Sequence, residues 1–418
     1  MRIAVVGIGD ELLRGFVVNT NLAFLGRAFL SRGFEVGEAV VVPDVESAVS
    51  AAIRDALSSG YDFVVTTGGL GPTADDVTKS AVAGLLGLEF AENADVLACL
   101  ERYWEGRPGP MPEHIRAQRL VPKGALTLPN EVGTAPGWVV DVPAETAGRG
   151  GARVAVLPGP PSELEPMVEK HLLPLLADFA GGTGGTVVRT VVAAGLPESR
   201  VERFAGPLAE SAGVSAAYCA SPDGVRIYLS SCADDAESAL DAAEAGIRTK
   251  LGIRALPPGV EAPAEHLVAL LSERGAVCAV AESCTAGLVA ASITDVPGSS
   301  AVFAGGFLVY SNAMKEKLLG VPRDVLDDYG AVSAECAEAM LDGLLRSLGV
   351  SAGIAVTGIA GPGGGTRGKP VGLVYIAIGF DGDVKVEKFR FPGNRRRVRE
   401  RSAATAVNAL REMLASKT

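Results

Sequence analysis

The first 180 residues alternate between short apolar runs and longer segments that carry apolar residues at helical spacing. The apolar runs predict buried strands over residues 3–6, 38–42, 62–66 and 153–157, and the other segments predict helices over residues 21–32, 46–58 and from 162 onward. Strand and helix in regular alternation are typical of a parallel sheet that helices cover on both faces. The pattern therefore predicts a three-layer α/β/α domain over residues 1–178.

Two breaks in the pattern divide the rest of the chain, a glycine-rich one at residues 181–185 and a Pro-Pro-Gly one at residues 256–259. Between them, apolar runs at 186–192 and 225–230 and a helix near 198–208 predict a small α+β domain over residues 186–256. Beyond them, helices alternate with strands over 276–280, 302–309, 352–356 and 371–378, and a last helix follows Pro392. A third domain, again α/β, is predicted over residues 260–418.

Composition narrows the function without defining it. The 418 residues are 48% hydrophobic and carry a net charge of −11, which disfavours nucleic acid and anionic membranes as partners. The six cysteines form no CxxC pair, so neither a zinc site nor a disulfide framework is expected. No apolar run reaches membrane-spanning length and the chain begins with a strand-like segment, so we expect a cytoplasmic protein.

Two polar loops follow predicted strands in the first domain, one at residues 9–11 and one at residues 67–76. The carboxyl ends of parallel strands meet at one edge of a sheet, where open α/β sheets bind ligands. Glycine amides and helix N-termini favour phosphate there, and Asp10, Asp75 and Asp76 are suited to hold Mg²⁺ against a diphosphate. The alternative is that Thr73, Asp75 and Asp76 only cap the next helix.

A second candidate site lies in the third domain. Ser283 and Thr285 separate a predicted strand from a predicted helix, and Tyr310 and Lys315 follow the next apolar run. Serine, tyrosine and lysine together can form a nucleophile with a base other than histidine, and none of the three histidines lies beside these residues. Two alternatives remain open: Cys284 is the nucleophile, or the hydroxyls only cap the helix.

Five arginines lie between residues 395 and 401, at the predicted start of the last helix. A charge run of this kind is usually a solvated helix face. Positive side chains at a helix start nevertheless oppose the helix dipole unless an anion compensates them. Arg395 and Arg399 are one helical turn apart, so we expect them to bind phosphate.

These motifs resemble the CinA family (competence/damage-inducible protein A) over nearly the whole chain. The first domain resembles the family's molybdopterin-binding-like domain through residues 9–13, 18–21, 67–76, 130–137 and 157–161. The middle resembles its KH-like module through residues 195–199. The rest resembles its nicotinamide-nucleotide amidase domain through residues 281–285, 310–312, 315, 357–363 and 369–372.

The resemblance implies two hydrolytic activities. The C-terminal domain would deamidate nicotinamide mononucleotide (NMN) to nicotinate mononucleotide and ammonia without a cofactor, with Ser283 as the nucleophile and Tyr310 and Lys315 activating it. The N-terminal domain would hydrolyse ADP-ribose to AMP and ribose 5-phosphate with a divalent metal ion, Mg²⁺ or Co²⁺. The alternative is that this domain only binds a nucleotide or molybdopterin. A homodimer is the expected assembly.

The same resemblance assigns residues to both sites. In the C-terminal domain, the expected substrate ligands are Thr285, Thr357, Gly358, Arg395 and Arg399. In the N-terminal domain they are Gly9, Asp10, Glu11, Asn19, Thr67, Gly68, Gly69, Gly71, Thr73, Pro158, Gly159 and Pro160, with Asp10, Asp75 and Asp76 as metal ligands. The chain departs from the family at Ala286, where many members carry glycine, and at Arg14, where an apolar or small residue is usual.

Overall fold

The computed structural model describes residues 1–71, 76–148, 150–182 and 185–417. The chain divides into two compact units, Met1–Val188 and Arg189–Thr418. The strands of the first unit are β1 (Ile3–Ile8), β2 (Val36–Val42), β3 (Phe63–Thr67), β4 (Phe90–Glu92), β5 (Leu120–Pro122), β6 (Leu126–Leu128), β7 (Gly137–Asp141) and β8 (Arg153–Leu157). Its helices are α1 (Asp10–Leu13), α2 (Thr20–Leu30), α3 (Glu46–Ser58), α4 (Thr78–Leu86), α5 (Ala94–Trp104), α6 (Glu113–Arg116), α7 (Ala144–Ala147), α8 (Pro161–Met167) and α9 (Leu173–Phe179).

The central sheet of the first unit has the strand order β2-β1-β3-β8-β7-β6. The four predicted strands, β1, β2, β3 and β8, are parallel, whereas β7 pairs antiparallel with β8 and β6 pairs antiparallel with β7. The sheet is therefore mixed and not parallel throughout. A strand's apolar pattern reports its burial and not its direction, so periodicity does not distinguish the two arrangements.

Side chains of β1 alternate between two cores, because successive residues of a strand point to opposite faces. Val6 packs with Val49 of α3 on one face, and Val5 packs with Leu25 of α2 and Leu164 of α8 on the other. Helices thus cover both faces of the sheet. The predicted three-layer α/β/α architecture is confirmed.

The second unit contains two separate sheets. Its strands are β9 (Val187–Ala194), which crosses the unit boundary, β10 (Ser215–Ser221), β11 (Gly224–Ser231), β12 (Cys278–Glu282), β13 (Phe303–Leu308), β14 (Ala352–Gly358), β15 (Leu373–Phe380) and β16 (Asp383–Arg390). Its helices are α10 (Glu198–Ser211), α11 (Ala236–Leu251), α12 (Pro263–Glu273), α13 (Leu288–Thr294), α14 (Asn312–Leu319), α15 (Arg323–Asp328), α16 (Ala334–Leu348) and α17 (Arg395–Ala415).

The smaller sheet has the order β10-β11-β9, and helices α10 and α11 pack against it. This module is α+β, as predicted. It belongs to the same compact unit as the C-terminal part of the chain, so an independent middle domain over residues 186–256 stays a prediction.

The larger sheet has the order β13-β12-β14-β15-β16, with β12, β13 and β14 parallel and β15 and β16 antiparallel. Helices α12, α13 and α17 contribute to the core on one face, where Val280 of β12 packs with Leu267 and Val407. Helix α16 covers the other face, where Ala281 packs with Met340. This arrangement confirms the predicted α/β class, and it places β12 inside the sheet, between β13 and β14.

Among helices in the described part of the chain, none combines the length and the apolar character that crossing a membrane requires.

Candidate functional site

Ser283 follows β12 directly, and its backbone N–H donates to the carbonyl oxygen of Val356 in β14 at 3.0 Å. Lys315, on α14, is 1% exposed. Its Nζ lies 3.2 Å from Ser283 Oγ and donates to the carbonyl oxygen of Val309 at 2.8 Å. The structure therefore brings together the predicted nucleophile and its predicted lysine base.

Burial lowers the pKa of the Lys315 ammonium, because water no longer solvates its charge. The nearby thiols of Cys336 and Cys284 oppose this effect. A lysine with a depressed pKa is neutral over more of the accessible pH range, so Lys315 is suited to accept the proton of Ser283.

Cys284 does not have the properties of a reactive cysteine. Burial raises the pKa of its thiol to about 11, and the thiol is the weak, protonated form. The neighbouring Glu282 carboxylate also raises the pKa of this thiol, whereas the charges of Arg399 and Lys315 lower it. This result favours Ser283 over Cys284.

Glu282 is the group at the N-terminus of α13. It is fully buried, and its carboxylate accepts from the backbone N–H groups of Gly287 (2.9 Å), Val289 (3.2 Å) and Ala290 (2.9 Å). These amides are therefore not open to the reaction centre. The carboxylate satisfies them instead and ties the end of β12 to the next helix.

The turn between Ser283 and α13 is tight. Thr285 is fully buried, and its Oγ1 has no hydrogen-bond partner among the described residues. Ala286 has φ +48° and Gly287 has φ +97°, a left-handed conformation that suits glycine better than alanine. The departure at Ala286 therefore affects the backbone of the turn. The methyl group of Ala286 is exposed and is not enclosed by neighbouring residues.

Tyr310 lies in a different environment from the one predicted. Its side chain is 62% exposed, and its hydroxyl accepts from a guanidinium N–H of Arg395 at 2.9 Å. Arg395 also donates to the carbonyl oxygen of Gly361 at 2.8 Å. The structure thus pairs Tyr310 with Arg395, and the activation of Ser283 by Tyr310 stays a prediction.

Arg399 donates to two backbone carbonyl oxygens, from Nε to Cys284 at 3.1 Å and from a terminal nitrogen to Thr285 at 2.8 Å. The sequence predicted a phosphate ligand at this position. Its observed partners are the partly negative oxygens of the turn after Ser283, which supply the compensation that an arginine at a helix start requires.

Thr357 and Gly358 end β14, beside the end of β12, which Ser283 follows. The hydroxyl of Thr357 donates to the carbonyl oxygen of Ala331 at 2.6 Å. A Cβ on Gly358 would lie 2.8 Å from the carbonyl oxygen of Leu373, so glycine is needed for close packing of the strands. Both residues shape the edge of the sheet around Ser283.

A cavity of about 880 Å³ lies at the carboxyl edge of the N-terminal sheet. Residues predicted from the sequence form much of its lining: Asp10, Glu11, Asn19, Thr67, Gly68, Gly69, Gly71, Asp76, Pro158, Gly159 and Pro160. Gly9 lies between two lining residues, Ile8 and Asp10. The predicted ligands Thr73 and Asp75 lie outside the described residues.

The loop after β3 requires its glycines. Gly68 has φ +103°, and a Cβ there would lie 2.3 Å from the carbonyl oxygen of Ile8. The amide of Gly71 donates to the carboxylate of Asp76 at 2.7 Å, and the hydroxyl of Thr78 donates to the carbonyl oxygen of Gly68 at 2.8 Å. Asp76 therefore has a structural role in holding Gly71, in addition to any role as a metal ligand.

The cavity also contains residues that the sequence analysis missed. Asp44 accepts from the amide of Asp10 at 2.8 Å, and Asn21 donates to the carbonyl oxygen of Gly159 at 2.7 Å while its own Oδ1 is buried without a partner in the described part of the chain. Asp44 lies two residues after the end of β2. Because the ends of parallel strands converge on one edge of the sheet, this position alone was sufficient to predict Asp44 at the cavity. Asn21 lies in the family motif at residues 18–21, from which only Asn19 was predicted as a ligand.

The carboxylates of Asp10, Asp44, Asp76 and Glu163 all line this cavity. Among the described residues, no three acidic, histidine or cysteine side chains are grouped closely enough to hold a metal ion by themselves. Mg²⁺ in enzymes is commonly held by one or two carboxylates together with substrate phosphates. The donor set therefore fits a divalent ion that a phosphorylated ligand helps to bind.

Comparisons with known proteins cover both halves of the chain. Residues 4–178 match the family described as "Probable molybdopterin binding domain", and residues 260–414 match the "CinA C-terminal domain" family. A "CinA-like protein" of Gemmatimonas aurantiaca is 40% identical over 422 residues, which cover 99% of this chain and 97% of that protein. A "Putative competence-damage inducible protein" of Desulforudis audaxviator is 38% identical over 419 residues, 99% of each chain.

Solved structures also resemble the chain. A crystal structure of a competence-damaged protein (CinA) superfamily protein from Klebsiella pneumoniae is 33% identical and covers 37% of this chain and 96% of that one, with a TM-score of 0.36.

Proposed function

The chain belongs to the CinA family, and from that premise we propose that its C-terminal domain is an amidase that converts NMN to nicotinate mononucleotide and ammonia. The observation that carries this proposal is the contact between the buried amine of Lys315 and Ser283 Oγ, at 3.2 Å. A serine hydroxyl is a weak nucleophile unless a neighbouring base takes its proton. The lowered pKa of Lys315 makes it such a base.

In the first half of the reaction, neutral Lys315 accepts the hydroxyl proton while Ser283 Oγ attacks the carboxamide carbon of the substrate. The resulting oxyanion needs hydrogen-bond donors, and the backbone amides after Ser283 are the nearest ones along the chain. Collapse of the tetrahedral intermediate breaks the C–N bond. The proton held by Lys315 passes to the leaving nitrogen, which departs as ammonia and leaves an ester on Ser283.

In the second half, a water molecule attacks the ester and Lys315 accepts its proton. The second tetrahedral intermediate collapses, Ser283 Oγ leaves with the proton from Lys315, and the product is a carboxylic acid. At neutral pH this acid loses its proton, and the released ammonia takes one up. The sum is amide plus water to carboxylate plus ammonium, so every atom and proton is accounted for. One base serves both halves, as microscopic reversibility of the proton transfers requires.

Arg395 and Tyr310 are the proposed ligands of the substrate's phosphate. Both are exposed beside the reaction centre and are hydrogen-bonded to each other. A guanidinium recognises phosphate through several N–H donors, and a phenol adds one more. This assignment gives Tyr310 a role in binding and leaves proton transfer to Lys315.

Purified full-length protein incubated with NMN tests the proposal, with ammonia and nicotinate mononucleotide measured as products. We expect Ser283→Ala to abolish ammonia release. Ser292→Ala is the matched control, because Ser292 lies on the neighbouring helix α13 and its hydroxyl donates to the carbonyl oxygen of Val289. A Ser283→Ala rate within about threefold of wild type would be a barrier change of only about 0.65 kcal/mol and would refute the nucleophile.

For the N-terminal domain we propose hydrolysis of ADP-ribose to AMP and ribose 5-phosphate. The cavity of about 880 Å³ supports this proposal, since it combines a glycine-rich loop suited to a diphosphate with carboxylates suited to a metal ion. Asp10 and Asp76 would hold the divalent ion together with the substrate. Such an ion, when bound, neutralises charge on the diphosphate and lowers the pKa of a bound water.

The chain's own residues define the rest of this site. The tight turn at Gly68 lets the backbone approach a diphosphate closely. Asp76 holds Gly71 in place through the 2.7 Å hydrogen bond. Lys79 follows this loop on α4 and donates a hydrogen bond to Gln118. Burial lowers the pKa of Lys79 to about 8, and the nearby charge of Asp76 opposes this effect.

Incubation with ADP-ribose and Mg²⁺ or Co²⁺, followed by identification of AMP and ribose 5-phosphate, tests the second activity. Asp76→Asn is expected to lose both rate and metal dependence. Asp55→Asn is the control, because Asp55 is an exposed aspartate on α3 of the same domain. Binding of ADP-ribose without products would support the alternative, a nucleotide-binding module.

A further inference from the structure

Arg399 contacts two peptide groups in the turn after the proposed nucleophile, Cys284–Thr285 and Thr285–Ala286. Its guanidinium donates to the carbonyl oxygens of Cys284 and Thr285, at 3.1 Å and 2.8 Å. Arg399 is half-buried on α17, which packs against α12 and α13. We call the Arg399 guanidinium and its two carbonyl contacts the clamp. It projects from a helix that the packing against α12 and α13 holds in place.

The orientation of the two carbonyls determines where the neighbouring amides point. In a trans peptide group the C=O and the N–H point in opposite directions. The C=O of Cys284 shares its peptide group with the N–H of Thr285, and the C=O of Thr285 shares its group with the N–H of Ala286. With both carbonyls directed at Arg399, both N–H groups are directed away from it.

Those two N–H groups differ from the amides at the start of α13. Within the described residues, the amides of Cys284, Thr285 and Ala286 donate to no backbone or side-chain oxygen, whereas those of Gly287, Val289 and Ala290 are occupied by Glu282. The unpaired, buried Oγ1 of Thr285 lies in the same turn. Unused donors next to a nucleophile are what an oxyanion requires.

We infer that Arg399 is a positioning residue that presets the amides of Thr285 and Ala286 as the oxyanion-binding donors, and that it does not bind the substrate's phosphate. The inference rests on the proposed amidase function. Ala286 adopts the left-handed conformation at φ +48°, which alanine does not prefer, so the turn depends on outside contacts to keep its shape.

The test compares Arg399→Ala, Arg399→Lys and Arg396→Ala in the full-length protein. For NMN, Arg399→Ala is expected to lower kcat roughly 100-fold, the usual effect of losing an oxyanion donor, with KM changed by less than about threefold. Arg399→Lys is expected to remain slow, because a single nitrogen on a shorter side chain replaces the two guanidinium nitrogens that contact the two carbonyls. Arg396→Ala is the matched control, since Arg396 is an exposed arginine of the same helix paired with Glu400. Added guanidinium ion is expected to restore part of the Arg399→Ala rate.

A rise in KM with unchanged kcat would overturn the inference and make Arg399 a phosphate ligand. A wild-type rate for Arg399→Lys would also overturn it, because charge alone would then suffice. If wild-type protein releases no ammonia from NMN, the proposed function fails separately. In that case the role of Arg399 is tested by the rate at which a fluorophosphonate labels Ser283. Labelling that is at least about tenfold slower in the Arg399 variants supports the positioning role, and equal rates refute it.

Discussion

Replacement of Glu282 by glutamine tests how the reaction centre is held together. The carboxylate uses one oxygen for Gly287 and Val289 and the other for Ala290. Glutamine is nearly the same size but has one acceptor oxygen, so it can keep the first two hydrogen bonds and must turn an NH₂ group toward the third amide. Two donors then face each other in a buried place.

The magnitude follows from two contributions. A buried donor without an acceptor costs about 1–3 kcal/mol, and loss of a negative charge at a helix N-terminus costs up to about 2 kcal/mol in a buried geometry. We expect the turn and the first residues of α13 to lose about 2–4 kcal/mol of local stability. Because about 1.4 kcal/mol corresponds to a tenfold change, their amides should exchange with solvent roughly 30- to 700-fold faster.

Hydrogen–deuterium exchange with mass spectrometry on the full-length protein measures this directly, in peptides that cover residues 283–294. Glu335→Gln is the matched control, since Glu335 is exposed in the first turn of α16, whose N-terminus Ser333 caps. The control is expected to leave exchange unchanged. If Glu282→Gln accelerates exchange less than about threefold, the carboxylate does not hold the turn and the reasoning is refuted.

Four further outcomes are expected. The kcat/KM for NMN should rise with pH through the lowered pKa of Lys315 and then level off, because only the neutral amine accepts the proton of Ser283; a flat or falling pH profile contradicts this. Cys284→Ala should keep a nearly wild-type rate of ammonia release, since burial raises its pKa to about 11, and a loss as severe as that of Ser283→Ala would contradict it. EDTA should stop turnover of ADP-ribose but not of NMN; the reverse result would mean that the C-terminal domain, and not the N-terminal domain, needs the metal ion. Gly68→Ala should abolish ADP-ribose turnover and spare NMN, because its Cβ would lie 2.3 Å from the carbonyl oxygen of Ile8; equal losses on both substrates would indicate general unfolding.

The sequence was most informative where chain direction alone determines position. Strands β1, β3 and β8 are parallel, so the loops that follow them meet at one edge regardless of packing detail. Most of the predicted ligands of the N-terminal cavity come from these loops. The same rule explains why Ser283 and Thr357 lie at neighbouring strand ends, because β12 and β14 are also parallel, although Thr357 was expected only from the family resemblance.

The sequence was less informative about where a side chain points. Glu282 was visible at the end of a strand, but its carboxylate turns back to cap α13, a choice that depends on a three-dimensional turn. Tyr310 and Lys315 are five residues apart, yet one is exposed and the other is buried. Periodicity describes regular elements, and neither the loop before α14 nor the turn after β12 is regular.

The charges around Ser283 have different partners, and this division constrains how an anionic substrate binds. Glu282 is committed to the amides of α13, and Arg399 is committed to the carbonyls of the turn. Lys315 contacts the reaction centre itself. Arg395, by contrast, is exposed and shares its guanidinium between a carbonyl oxygen and the hydroxyl of Tyr310. A phosphate therefore meets less resistance at Arg395, because exchanging a neutral acceptor for a charged one strengthens the hydrogen bond. A phosphate at Arg399 would have to release the turn that orders the oxyanion donors, so binding there would weaken the catalysis that it serves.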